Sequence, residues 1–454
     1  MRTQAQPPAV PTTRSVFHLA WPLTLKSIML HGIVVIDGWL VSSLGEGAVA
    51  VLGLSASIAG LLIGLIVAFS NATQIRIAQA FGSGDRAFLK SALLSGLTVN
   101  FGVVTTGLAL LALFAGPLID GLAHNADIAY GARAYLSIFA VVILAEALGH
   151  CLTGYFNGCG ETRLPALSYM MAVPVNIAVS VVLIHGHLGA PALGVTGAAI
   201  GSAVASVIQV GFLAGLLLSR DRTLLRVIGW RNGTYTASLR RHFIFSLPIA
   251  ATFGSATIAI SVCGLLYARL PVNDFAAMTI IMPWVQVVGT FGMCWAQATG
   301  IYVGQMLGRS TPGEVLDRFL LSVWRTSFLA SSLVAAIYAG ICLASPWIYP
   351  DLHPDTRATL LSFLPILIFL PFPKGSNAIC GNTLRAGGET LYVMHIFVWS
   401  QWLFRVPATA AAVLWLDASV TVVFALVLAE ELIKFAPFHL RLRQGHWRTG
   451  TMED

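Results

Sequence analysis

Apolar runs broken by short polar punctuation fill the chain from residue 16 to residue 438. About 20 apolar residues suffice to cross a bilayer as a helix. Twelve such spans can be drawn, at 16–41, 48–72, 90–115, 131–156, 164–184, 194–218, 242–268, 275–302, 318–343, 357–383, 391–413 and 416–437. Each must be helical, because an open strand edge in hydrocarbon leaves backbone groups unpaired. The one long polar stretch inside the chain, 219–241, separates six spans from six and marks a lobe boundary. The pattern predicts an all-α integral membrane protein with twelve transmembrane helices in two six-helix lobes. Its parts are a tail at 1–15, a first lobe at 16–218, a basic connector at 219–241, a second lobe at 242–438 and a tail at 439–454.

The two lobes read as copies of one unit. Ala20-Trp21-Pro22-Leu23 is matched in the second half by Ser246-Leu247-Pro248-Ile249. At the same offset, the stretch Ile75 to Gly82 is matched by Ile301 to Gly308, with Gln79 against Gln305. Gly160-Glu161-Thr162 recurs as Gly388-Glu389-Thr390, at nearly that offset again. Six spans per copy place both copies in the same orientation, as parallel repeats of the kind that hold substrate between them in secondary transporters. The copies differ where chemistry is expected: Asp37 in the first aligns with Cys263 in the second.

Composition agrees with the pattern. The 454 residues are 57% hydrophobic and 10% charged, against roughly 25% charged in soluble domains. The ends leave no room for a soluble catalytic domain. The net charge of +7 is placed by topology: Arg220, Arg222, Arg226, Arg231, Arg240 and Arg241 lie in or beside the connector, while the loops near 42–47, 117–129 and 185–193 carry no Lys or Arg. This positive-inside pattern puts both termini in the cytoplasm and gives no reason to expect nucleic acid. Six cysteines without metal-type spacing read as packing residues. Prolines 365, 371 and 373 are expected to break the tenth span, either as static features or as hinges.

Ionisable side chains inside spans are costly and mark function by default. The first span holds Lys26, His31 and Asp37, the fourth Glu146 and His150, the tenth Lys374, and the eleventh His395 and Arg405. Asp37 lies in the apolar window Ile33 to Trp39. A carboxyl there can take up and release a proton as a coupling group must; the other reading is a helix-end residue meeting the interface. Glu146 and His150, one turn apart, read as a hydrogen-bonded pair or a proton relay, since two ligands without a third do not make a metal site. Lys26 reads as a snorkelling residue. Lys374 is placed to neutralise a buried acid or repel cations, and Arg405 to partner carbonyls or an acid. The histidines 31 and 395 read as core residues.

Over nearly its whole length the chain resembles the multidrug and toxic compound extrusion (MATE) family. The residues that carry this are Pro22 with Asp37-Gly38, the turn Gln79-x-Phe81-Gly82-x-Gly84, Gly154 to Thr162, Pro191 to Ile200, Leu384 to Thr390, and Arg405-Val406-Pro407. The resemblance implies a V-shaped, twelve-helix antiporter of the bacterial inner membrane, a monomer exporting amphipathic and cationic organic compounds for H⁺ or Na⁺, with no other cofactor. It implies a cation-coupling site of Asp37, Tyr135 and Asn176, with Ser180 and Ser202 where the family carries an acid and a Thr. The exchange of an acid for Ser180 favours H⁺ over Na⁺. The stretch 253–257 has no carboxylate, which resembles the DinF-like branch. Other readings are a lipid or lipid-linked oligosaccharide flippase, an intramembrane enzyme using Glu146 and His150, and a channel.

Overall fold

The computed structural model describes residues 10–225, 233–350 and 352–449, and among them every regular element is a helix. Arg226 and Arg231 of the basic connector lie outside the described residues. In chain order the helices are α1 (Thr13–Ser42), α2 (Glu46–Ser83), α3 (Arg86–Leu122), α4 (Ala126–Gly158), α5 (Arg163–His185), α6 (Val195–Arg220), α7 (Thr234–Tyr267), α8 (Val272–Gly308) and α9 (Gly313–Ile348). Then follow α10 (Pro354–Ser362), α11 (Leu364–Phe369), α12 (Pro371–Ala386), α13 (Thr390–Trp399), α14 (Val406–Leu414) and α15 (Val420–Gln444). The nine helices α1 to α9 are each long and apolar enough to cross a membrane, and a bent tenth span joins α10 to α12.

The remaining spans are marked by their departures from regular apolar helix. The tenth bends by 43° between Phe369 and Pro371. Breaks precede Pro365 and Pro371, each a position without a backbone donor. Pro373 does not break the helix, because it falls in the first turn of α12, where N–H groups lack intrahelical acceptors anyway. Between α13 and α14 the helix widens into a π segment, Ser400–Arg405, where the Val406 N–H bonds to Gln401 five residues back. Pro407, which has no N–H to give, follows at once. The last span, α15, carries Glu430, Glu431 and Lys434 in about one turn. The early prolines, Pro22 and Pro248, lie inside continuous α1 and α7.

The chain falls into two compact units, one of Leu25–Phe81 with Asp85–Gly254, the other of Met1–Thr24, Gly82–Gly84 and Ser255–Asp454. The first packs Ile58, Ile66, Val104, Ile119, Leu136 and Ile143 across α2, α3 and α4. The second packs Met278, Ile281, Phe363, Leu367 and Phe424, with the Phe363 and Phe424 rings stacked at 4.4 Å. In lipid such contacts hold helices together by close packing rather than by release of water.

The repeated Gly-Glu-Thr turns are the same device twice. Gly160 and Gly388 both adopt positive φ, 84° and 87°, which a side chain resists. Behind them the Glu161 N–H reaches Phe156 O and the Glu389 N–H reaches Leu384 O, the crossing bonds of a Schellman cap. Each glutamate then binds an arginine at the end of the last helix of its half: Glu161 pairs with Arg220 on α6, and Glu389 takes Arg441 on α15 through several N–H groups at 2.8–3.0 Å. The turn stops one helix and anchors another.

Candidate functional site

In the first unit, four helices converge on two polar tiers. Along α1, Lys26 and Asp37 are eleven residues apart, three turns on one face, and so are Glu146 and Tyr135 on α4. Helices α5 and α6 close on each other through glycine. A Cβ at Gly197 would fall 2.7 Å from Leu183 C, and one at Gly201 would fall 2.1 Å from Ser180 Oγ. Small residues at this spacing let helix backbones approach, which brings Ser180, Asn176 and Ser202 together.

The Asp37 tier is buried. Asp37 is 7% exposed, Asn176 1% and Ser180 0%. Ser202 Oγ donates to Asp37 Oδ2 at 3.3 Å, and Asn176 Nδ2 donates to Ser202 Oγ at 3.0 Å. Tyr135 lies within electrostatic reach of the carboxylate and stacks on Phe139 at 5.3 Å. Asp37 Oδ1, Asn176 Oδ1 and Ser180 Oγ have no hydrogen-bond partner among the described residues. A buried carboxylate with a bare oxygen and no cationic partner is costly. A proton relieves it, removing the charge and turning an acceptor into a donor.

The second tier surrounds Glu146. Ser206 Oγ donates to Glu146 Oε1 at 3.0 Å, and His150 Nε2 lies 3.2 Å from Oε2. Lys26 acts electrostatically on both residues, and its Nζ stands 5.7 Å over the Tyr169 ring. Lys26, expected to snorkel out, thus takes part in an internal cluster. No group of three or more His, Cys, Asp or Glu side chains converges among the described residues.

The second unit differs. Arg405, at the end of the π segment, meets Glu430 Oε2 at 3.0 Å. Lys434 Nζ donates to Glu430 at 3.1 Å and to Glu431 at 2.8 Å, and Asn377 Nδ2 donates to Glu431 Oε2 at 2.8 Å. Cys263 and Tyr267 of α7 lie within electrostatic reach of the Arg405 guanidinium. The position matching Asp37 therefore faces a cation. Lys374 and Arg405 stand out in the sequence, whereas Glu430, Glu431 and Lys434 were missed, although three ionisable residues within five positions of the last apolar stretch mark them.

A doubled bundle of apolar helices with ionisable groups buried inside each half has the architecture of a secondary transporter. The family model MatE matches residues 22–182 and 248–410, and the chain belongs to that family of multi-pass membrane transporters, which are not enzymes. It is 22% identical over 442 residues to "Uncharacterized transporter YisQ" of Bacillus subtilis, covering 96% of this chain and 95% of that one. To "Probable multidrug resistance protein NorM" of Bradyrhizobium diazoefficiens it is 25% identical, covering 86% and 84%. Among solved structures, a MATE transporter in the bent conformation superposes with a TM-score of 0.84 at 17% identity, covering 96% and 97%. An outward-facing multidrug resistance MATE transporter superposes at 0.80 and 17% identity, covering 95% and 96%. These likenesses establish the fold.

Proposed function

We propose that the protein is an antiporter that exports amphipathic organic compounds in exchange for H⁺, coupled through protonation of Asp37. The observation that carries this reading is the Asp37 carboxylate, buried, bound on one oxygen by Ser202 and bare on the other. Such a group changes its interactions most when a proton arrives. Ser202, held by Asn176, stabilises the anionic form, while Tyr135 and Ser180 complete a neutral surround. Taking a proton on one side of the membrane and losing it on the other would reset the site each cycle. The multidrug resistance names of the NorM relatives support organic compounds as cargo, and the family resemblance extends this to cationic ones.

Glu146 with His150 is the relay in this reading: the pair lies on α4, the helix of Tyr135, and Ser206 binds Glu146 from α6 one turn after Ser202, which binds Asp37. Sodium is the second reading, and the bare oxygens of Asp37, Asn176 and Ser180 favour it. A single carboxylate with neutral oxygens supports H⁺ better, and the absence of a carboxylate at 253–257 of α7 supports the DinF-like branch.

The test is dye efflux from proteoliposomes with pH and Na⁺ gradients imposed separately. Asp37→Asn should abolish efflux driven by a pH gradient. Normal transport by that variant, or export driven by Na⁺ alone, would overturn proton coupling at Asp37.

A further inference from the structure

The register of the two Gly-Glu-Thr turns carries back into the helices that precede them and sets Glu146 of α4 against Lys374 of α12. The two units thus place opposite charges at one position. Glu146 accepts a hydrogen bond from Ser206, and His150 Nε2 lies 3.2 Å from its other oxygen. Lys374 is not answered. Its ammonium makes no hydrogen bond or ion pair with any described side chain, although Glu430 and Glu431 lie within its electrostatic reach. The reason is that all four carboxylate oxygens are already engaged. Glu430 accepts from Lys434 and Arg405, and Glu431 accepts from Lys434 and Asn377. Lys374 feels these groups electrostatically, but three basic side chains share two carboxylates, and Lys374 is the one that binds neither directly.

Lys374 borders a cavity of about 30 Å³ between α8, α9 and α12, lined also by Gly289, Gly292, Met293, Ser327 and Tyr338. A space of this size holds one or two waters, or a group as small as a carboxylate. The glycine at 289 keeps it open: a Cβ there would stand 3.3 Å from Tyr338 Oη and 3.8 Å from Lys374 Nζ, over the ammonium. Ser331 and Tyr338 turn their hydroxyls to backbone carbonyls, Pro371 O and Val285 O, which leaves Lys374 as the charged donor of the cavity. Met293 is half exposed at the rim.

We infer that this cavity is a binding site for the acidic group of the cargo, a carboxylate, sulfonate or phosphate on an amphipathic organic molecule. This deepens the export reading and rests on it. It also moves the substrate class away from simple organic cations, toward organic acids and zwitterions. Bringing an anion to Lys374 supplies the carboxylate that Glu430 and Glu431 cannot, and charge-assisted hydrogen bonds of this kind are the strong ones.

The test is equilibrium binding of fluorescein to the full chain in phosphatidylcholine nanodiscs, read by anisotropy. Wild-type protein should bind the dye. Lys374→Gln should weaken binding roughly tenfold to a hundredfold, and Lys374→Arg should retain most of it. Gly289→Val should weaken it while leaving the charge in place. All variants must elute as the wild type does on size exclusion. Asp37→Asn should bind fluorescein normally even where it no longer exports dye, so that failure of proton coupling and failure of this site are read separately. No binding by the wild type, or equal binding by Lys374→Gln, would overturn the inference. Displacement of the dye when phosphatidylglycerol replaces phosphatidylcholine would also overturn it, in favour of a lipid headgroup as ligand.

Discussion

Two pairs of equivalent positions set the halves of this transporter apart. At 37 and 263 a carboxylate stands against a thiol within electrostatic reach of Arg405. At 146 and 374 a carboxylate stands against an ammonium. The backbone devices that hold these positions have not changed: the same Schellman cap ends α4 and α12, and the same glutamate anchors the last helix of each half. Duplication preserved the frame and let the sign of the buried charge diverge. An acid without a cationic partner suits a group that must gain and lose a proton. Paired acids that leave Lys374 without a carboxylate among the described residues suit a fixed receptor for negative charge.

The largest expected effect comes from breaking the pairing in the second half. Glu430→Gln removes a partner from both Arg405 and Lys434 inside a buried network, where orphaning a charge costs about 3–5 kcal/mol. Thermal unfolding of the purified protein should show a large drop. Asp37→Asn, by contrast, removes a buried carboxylate that has no cationic partner, and it should leave stability unchanged or raised. If the two substitutions destabilise equally, the halves do not differ in the way their geometry indicates.

Much of this was legible before any coordinates. The apolar runs, the constant offset between paired segments and the Gly-Glu-Thr turns gave the repeat, and the isolation of Asp37 in an apolar window pointed to the first half. What escaped was of two kinds. Glu430, Glu431 and Lys434 hid in the last span because they neutralise one another only through side-chain geometry, which spacing along a helix suggests but does not display. Lys26 read as snorkelling because a lone lysine near a helix start usually does; its place beside Tyr169 and Glu146 depends on how α1 packs against α4 and α5. The close contact of Gly201 with Ser180 belongs to the same class, visible as a small residue in sequence and as the reason for the site only in three dimensions.

A smaller contrast lies in the two glutamate anchors. Glu389 and Arg441 are 14% and 28% exposed and joined by more than one bond, whereas Glu161 and Arg220 are 41% and 50% exposed. Exposed pairs are worth about 0–1 kcal/mol and weaken with salt, while multidentate, shielded ones hold more. Glu389→Gln should therefore lower the unfolding temperature more than Glu161→Gln, and only the second effect should vanish in high salt. Equal effects would mean that exposure does not separate the two anchors.

The smallest expected effect tests the frame itself, at the paired turns after α2 and α8. Gly84 and Ser310 occupy the same place in the two copies, and both adopt positive φ, 71° and 54°. In the second copy the Thr311 N–H reaches Met306 O and the Ser310 N–H reaches Leu307 O, so the capping bonds form with a serine in place. What a serine adds is the steric cost of a Cβ in the left-handed region, a cost glycine does not carry. Ser310→Gly should then stabilise the protein by roughly 0.5–1 kcal/mol, offset in part by the greater freedom of glycine in the unfolded chain. Gly84→Ser should cost a similar amount in the other direction. Opposite signs at equivalent positions, read as small shifts in unfolding temperature, are what a shared backbone geometry requires. A loss of stability at both would mean that the Ser310 hydroxyl is bound in a way that Gly84 never needed.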